Sequence, residues 1–188
     1  IFMKFDPTIL KGNFLINLEM KEDDRGFFAR YFCEKEFVDQ GLNTKWVQIN
    51  TSASKQLGTL RGLHYQKEPS AEIKLVRCLK GAIWDVVVDL RKDSDTYGKW
   101  FGAKLSDENR TMMYVPKGFA HGFVSLQPNT EILYLVSEFY TPNLEGTLMW
   151  SDETVDINWP ITPKIISDKD KNGDSLNKII PIKLKNNE

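Results

Sequence analysis

Residues 73–100 read IKLVRCLKGAIWDVVVDLRKDSDTYGKW. Two apolar runs rich in β-branched residues flank Lys80-Gly81. Each is too short for a core helix and long enough for a strand, so the segment reads as two strands joined by a turn at that dipeptide. Period-two alternation puts Lys74 on one face with Val76 and Cys78, and Arg77 on the other with Leu75 and Leu79. At least one of these cations must therefore lie beside apolar side chains. For Lys74 the residues allow two readings equally, a lysine snorkelling at a strand end or a cation placed for chemistry.

The same texture continues outward. KWFGAKL (99–105), RTMMYVP (110–116), HGFVSLQ (121–127) and EILYLVSEFY (131–140) are further short strand patterns separated by turn residues. On the last, Tyr134 shares a face with Ile132 and Val136 and reads by itself as a core tyrosine with its hydroxyl at the rim. Helical periodicity is weak. CEKEFVDQGL (33–42) is one short candidate with Gly41 as its stop, and SDKDKNGDSL (167–176) opens another turn with Ser167 or Asp168 as N-cap. Many short antiparallel strands with a few short helices predict an all-β fold, a jelly-roll barrel or sandwich. One domain over 3–188 is expected, with a solvated tail from about residue 182. Ile1 and Phe2 precede the first methionine and are set aside.

The chain has 188 residues and a net charge of −1, with no basic block. Nucleic acid is excluded as a partner, because phosphate neutralisation needs clustered Lys and Arg. Cys33 and Cys78 are far apart and form no framework, so reduced thiols in the cytoplasm are expected. No apolar run approaches a membrane span, and no signal-peptide pattern opens the chain.

The only two histidines sit in GTLRGLHYQ (58–66) and VPKGFAHGFVSL (115–126). The second segment is similar to the second motif of cupins, where P-x-G-x-x-H sets a histidine at the mouth of a small barrel. Metal-dependent cupins commonly supply three histidines and a glutamate, and this chain has two histidines in total. A metal is therefore not expected, and no cofactor is required. A lone strand histidine is usually a hydrogen-bonded core residue. Around His64, however, Arg61 and Gln66 are also polar, and Gly62 leaves room for a bulge. Regular alternation would put Arg61 and His64 on opposite faces, so both can line one site only if Gly62 breaks the pleat.

DDRGFF, QINTS, GTLRGLHYQ, the 73–100 segment, VPKGFAHGF, EILYLVSEFY, EGTLMWSDE and INWP occur in that order. Together they resemble the dTDP-4-dehydrorhamnose 3,5-epimerase family, cupin-type enzymes of deoxysugar nucleotide synthesis, from about Lys4 to Asp170. The resemblance implies a metal-independent epimerase acting on a nucleotide-linked 4-keto-6-deoxy sugar. It assigns His64 as base, Asp170 as the carboxylate that orients it, Lys74 as the cation at the sugar O4 and Tyr134 as the acid on the opposite face. An imidazole with an ordinary pKa of about 6.5 suits the base.

Substrate contacts implied in the same way are Arg25, Phe27, Arg30, Gln48, Asn50, Arg61, His121, Glu145 and Lys169. Arg25 and Arg61 suit pyrophosphate oxygens, and Phe27 suits stacking on the base. The family builds its site across a homodimer, which implies that Arg25 and Phe27 act in the partner subunit. His121 stays open between a structural hydrogen bond and a ligand contact. Arg30 stands where the family commonly has an acidic residue, and Ile49 and Thr51 depart from Q-D-N-H-S; both segments handle the nucleotide. A mono-epimerase on another nucleotide sugar, a 3,4-ketoisomerase of related cupin type and a non-catalytic sugar-nucleotide binder are the alternatives.

Overall fold

The computed structural model describes residues 2–185. Its strands are, in chain order, β1 (Met3–Pro7), β2 (Phe14–Leu18), β3 (Lys21–Asp23), β4 (Gly26–Phe28) and β5 (Gln48–Ser54). Next come β6 (Thr59–Gln66), β7 (Lys74–Lys80), β8 (Ala82–Asp89), β9 (Trp100–Ser106) and β10 (Met112–Val115). The last are β11 (Phe119–Ser125), β12 (Thr130–Val136), β13 (Glu145–Thr147) and β14 (Ile165–Ile166). Two short helices, α1 (Glu34–Asp39) and α2 (Asp168–Lys171), complete the list of α elements.

The break expected at Lys80-Gly81 is there. Gly81 has φ 74°, and a Cβ on it would meet Thr130 Oγ1 at 2.7 Å, so only glycine makes this turn. Two sheets result, one ordered β1-β2-β10-β7-β12-β5 and the other β13-β6-β11-β8-β9 with β14 parallel to β6. The remaining pairings are antiparallel. Val76, Cys78, Met113 and Ile132 from the first sheet interdigitate with Ile83, Val87, Leu105 and Phe123 from the second. This is the jelly-roll sandwich the strand pattern predicts.

Each sheet is also covered on its outer face. Phe37 of α1 is fully buried against Leu75, Met112 and Tyr114, a burial worth about 1.5–3 kcal/mol for a side chain of this kind. On the other side Val155, Leu176, Ile179 and Ile182 pack on Leu63, Val86 and Val88. Burial on both faces explains the unbroken VVV run of β8, which strict alternation does not describe.

That cover reaches the start of the expected tail. Ile182 is buried and bridges to Arg91, its amide donating to the Leu90 carbonyl at 2.8 Å. The chain is therefore part of the sandwich as far as Ile182, whose apolar side chain closes the second core, with Leu184 packed at its margin. The end of the expected tail, residues 186–188, and Ile1 lie outside the described residues. The 131–140 pattern also ends earlier than read. β12 stops at Val136, where the Ser137 hydroxyl accepts from Ile73 N, and Phe139 and Tyr140 stand exposed beyond it. Among the described residues no helix is long and apolar enough to cross a membrane.

Candidate active site

The pleat of β6 breaks where it must for Arg61 and His64 to face one space. Arg61 pairs with Phe123 and His64 with His121, so three steps on β6 oppose two on β11, a one-residue bulge centred on Gly62. Gly62 has φ 121°, and a Cβ on it would lie 2.6 Å from Gly122 Cα and 2.8 Å from His121 O. Two glycines crossing this closely let β6 change face without leaving the sheet.

The bulge gives the site its base pair. His64 Nε2 lies 2.6 Å from Asp170 Oδ1, and Asp170 Oδ2 accepts from the freed Gly62 amide at 3.2 Å. Asp170 is delivered by α2, whose N-cap is Ser167; the Ser167 hydroxyl accepts from Asp170 N at 3.2 Å. Burial pushes the Asp170 carboxyl up, but hydrogen bonding and charge from His64, with Gly62 N and Ser167, outweigh it and hold it below the usual range. A carboxylate there fixes the Nε2–H tautomer and leaves Nδ1 as the ring's proton acceptor.

Lys74 and Tyr134 approach from the opposing sheet, on β7 and β12. Lys74 is 9 % exposed, which sets aside a snorkelling side chain. Its ammonium lies 3.0 Å from Glu72 Oε1. Burial pushes the Tyr134 hydroxyl above the ordinary phenol range; Glu72 adds to this and Arg61 opposes it. Tyr134 is therefore a proton donor at neutral pH.

These groups meet at the waist of a two-lobed cavity. One lobe, about 470 Å³, has an apolar wall of Leu60, Phe123, Ile132, Ile165 and Ile166 and polar groups from Arg61, His121, Lys169 and Asp170. The other, about 400 Å³, is polar and includes Gln48, Asn50, Gln66, Glu72, Tyr140 and Glu145. His64, Lys74 and Tyr134 line both. His121 is on the wall and also bonded, its Nε2 2.8 Å from the fully buried Asp85 Oδ1. It can hold a rigid position and still face a ligand. Lys169 pairs with Glu145 at 2.6 Å, and the Tyr140 hydroxyl donates to the same carboxylate at 2.9 Å. Burial raises the Glu145 carboxyl, but Lys169 and Tyr140 outweigh it and keep it low.

Three residues assigned through the resemblance are not brought to this cavity in their own chain. Arg25 and Phe27 belong to the β3–β4 hairpin, a two-stranded sheet that pairs only with itself. Arg25 is exposed beside Asp23, and the Phe27 ring lies under Arg110, 4.3 Å from its guanidinium carbon. Arg30 pairs with Glu36 at 2.6 Å. Of the departures, Ile49 faces solvent and Thr51 reaches the polar lobe. The sequence reading missed Glu72 and Ser167. The first is signalled only by lying two residues before Lys74, the second by its capping pattern, which was read for the helix and not for the site.

Among the described residues no three His, Cys, Asp or Glu side chains converge as a metal site. Each histidine is paired with one carboxylate instead.

Residues 7–178 match the family model described as dTDP-4-dehydrorhamnose 3,5-epimerase. A Shigella flexneri protein of that name is 47 % identical over 152 residues, covering 80 % of this chain and 83 % of its own. The Elizabethkingia anophelis NUHP1 enzyme of that name superposes with a TM-score of 0.90 at 44 % identity, covering 93 % of this chain and 97 % of its own. A dTDP-6-deoxy-D-glucose-3,5-epimerase from Legionella pneumophila Philadelphia 1, in complex with dTDP-4-keto-L-rhamnose, superposes with a TM-score of 0.91. It is 35 % identical, and the match covers 98 % of this chain and 100 % of that one.

Proposed function

The chain belongs to the dTDP-4-dehydrorhamnose 3,5-epimerase family, and from that premise we propose that it inverts C3 and C5 of dTDP-4-dehydro-6-deoxyglucose through an enolate. It is an isomerase acting on a dTDP-linked 4-keto-6-deoxy sugar. The observation that carries the mechanism is the division of groups between sheets. His64 with Asp170 stands on one side of the cavity waist, Lys74 and Tyr134 on the other.

The 4-keto group acidifies the neighbouring C–H bonds. His64 takes the proton, the C–H electron pair becomes part of the new C=C bond, and the carbonyl π pair moves to O4. Lys74 stabilises the O4 anion in a site shielded from water, where a fixed cation is worth far more than in solvent. Tyr134 then gives its proton to the same carbon from the other face, the C=C pair forming the new C–H bond and the O4 pair restoring the carbonyl. The phenolate is refilled from solvent and His64 releases its proton, so no redox equivalent is consumed. Opposed placement of base and acid is what inversion requires; one group on one face would restore the starting configuration.

Arg61, Lys169 and Glu145 are suited to grip the diphosphate and sugar, with Gln48 and Asn50 at the polar lobe and His121 on the wall. Arg25 and Phe27 project from a hairpin remote from their own cavity, and Arg30 lies close behind it. This supports a homodimer in which the hairpin completes the partner's nucleotide site. β5 is an edge strand exposing Ile49, a surface suited to such a contact. The free thiols of Cys33 and Cys78 and a nucleotide-sugar substrate support a cytoplasmic setting.

The test is incubation with dTDP-4-dehydro-6-deoxyglucose in deuterated water. Deuterium at C3 and C5 with inverted product is expected, and His64→Ala should abolish both. Tyr134→Phe should keep slow exchange while product inversion falls about 10²-fold or more, the usual loss for a positioned acid. No exchange by the wild type would sink the reading. Label at one carbon would make it a mono-epimerase, and a keto group moved to C3 would make it a ketoisomerase.

A further inference from the structure

We infer that Glu72 is a positioning residue for the epimerisation, acting through Lys74 by holding its ammonium at the waist of the cavity. The inference rests on the role proposed for Lys74.

Two imidazoles and two ammonium groups around the cavity each face a carboxylate. His64 meets Asp170, His121 meets Asp85, Lys169 meets Glu145 and Lys74 meets Glu72. The Lys74–Glu72 pair is deeply set, with side chains 11 % and 13 % exposed. Lys74 lies on the inner face with Val76 and Cys78, both in the apolar core, so its stem cannot carry the head back to bulk water. A desolvated ammonium needs a partner, and removing one member of such a pair leaves an uncompensated charge.

Glu72 is itself tied down from two sides. Gln66, nearly fully buried, donates from Nε2 to the Ser70 carbonyl at 3.1 Å and to Glu72 Oε2 at 3.4 Å. Its Oε1 accepts from Thr141 N at 2.6 Å. Between Glu72 and Lys74, Ile73 N donates to Ser137 Oγ at 2.8 Å and Ile73 O accepts from Ser137 N at 3.1 Å. The carboxylate is thus fixed by the chain before β7 and by the segment after β12. Its field also reaches Tyr134, where it adds to burial in raising the hydroxyl, against Arg61. A carboxylate so anchored can restrain the cation at the cavity waist, where it meets the charge that develops on O4.

The test is a double-mutant cycle on kcat, read by deuterium exchange, with E72A and K74A singly and together. Loss of a positioned cation predicts that E72A lowers kcat about 10–100-fold, with KM changed less than about threefold. In the K74A background E72A should change kcat by less than about twofold, because its effect runs through Lys74. A second readout needs no substrate. In protein labelled with ¹⁵N-lysine, the slowly exchanging Lys74 ammonium signal, assigned by its loss in K74A, should vanish in E72A. Wild-type kcat in E72A, an effect on KM alone, or equal losses in both backgrounds would overturn the inference. If the wild type exchanges no label, the proposed reaction fails, and persistence of the ammonium signal in E72A then overturns the positioning role separately.

Discussion

The imidazole of His64 and the carboxylate of Asp170 are 106 residues apart in sequence and 2.6 Å apart in space. Asp170 also receives the amide of Gly62, the residue whose bulge turns His64 toward the cavity. One carboxylate therefore holds both the base and the backbone break that presents it. Asp170→Asn should remove the carboxylate charge that faces His64 Nε2 while keeping the shape. We expect exchange to slow by about 10²–10⁴-fold, the range by which an oriented general base contributes. The melting temperature should move little by comparison. Wild-type exchange rates in this variant would show that the dyad is structural.

Gly62→Ala tests the bulge itself. The added methyl would sit 2.6 Å from Gly122 Cα, and the φ of 121° is one that L side chains rarely adopt. Backbone against backbone cannot yield as a flexible side chain would. A loss of about 2 kcal/mol or more is expected from such strain, read by chemical denaturation, together with loss of activity. Gly26→Ala supplies the control, since its φ is similarly positive but nothing lies within 4 Å of the new methyl.

Acid stability should carry the signature of Asp89. Burial raises its carboxyl, but Arg91, Ser94 and Thr96 outweigh burial and hold it below 3.8. A carboxyl lowered by folding stabilises the native state above its unfolded value and loses that contribution as pH falls through the folded one. Asp89→Asn should therefore be less stable than wild type at pH 7, by about 3 kcal/mol as for a broken buried pair. The gap should close as pH drops below about 4. A constant gap between pH 7 and pH 2, followed by denaturant titration, would refute the assignment.

The proposed shared-site homodimer makes a quantitative prediction for mixtures. Arg25→Ala and His64→Ala should each be inactive or nearly so. Mixed in equal amounts and allowed to exchange subunits, half the dimers are heterodimers, each with one intact site. Activity should return to about one quarter of the wild-type value by two-fold symmetry. No recovery despite subunit exchange, followed by native mass spectrometry, would place Arg25 outside the partner's site.

Much of this architecture is legible in local sequence. β7, β8 and the Gly81 turn follow from alternation and one dipeptide, and α1 ends before the Gly41 stop. The conflict between Arg61 and His64 was visible in the alternation of β6, and so was its resolution at Gly62. Other features depend on contacts between distant segments. Nothing around Asp170 states that it reaches β6. Glu72 lies outside any regular strand, where no periodicity assigns a face. The 176–182 segment, LNKIIPI, is short and lacks a regular period, and only the second core shows that Leu176, Ile179 and Ile182 are its closing layer. For Arg25 and Phe27, one chain does not contain the neighbours that would give them a role.

The split of His64 and Tyr134 between two sheets has a mechanical consequence for the proposed reaction. The distance a sugar ring must bridge between His64 and Tyr134 is the thickness of the sandwich at its open end. That thickness is set by Phe123 and Ile132 at the cavity wall and by Val76 and Cys78 packed against them in the core. Handedness of the product then becomes a property of the core. A methylene added or removed several ångströms beneath the substrate would open or close the gap and alter the balance between inversion and unproductive exchange, with every reacting side chain still in place.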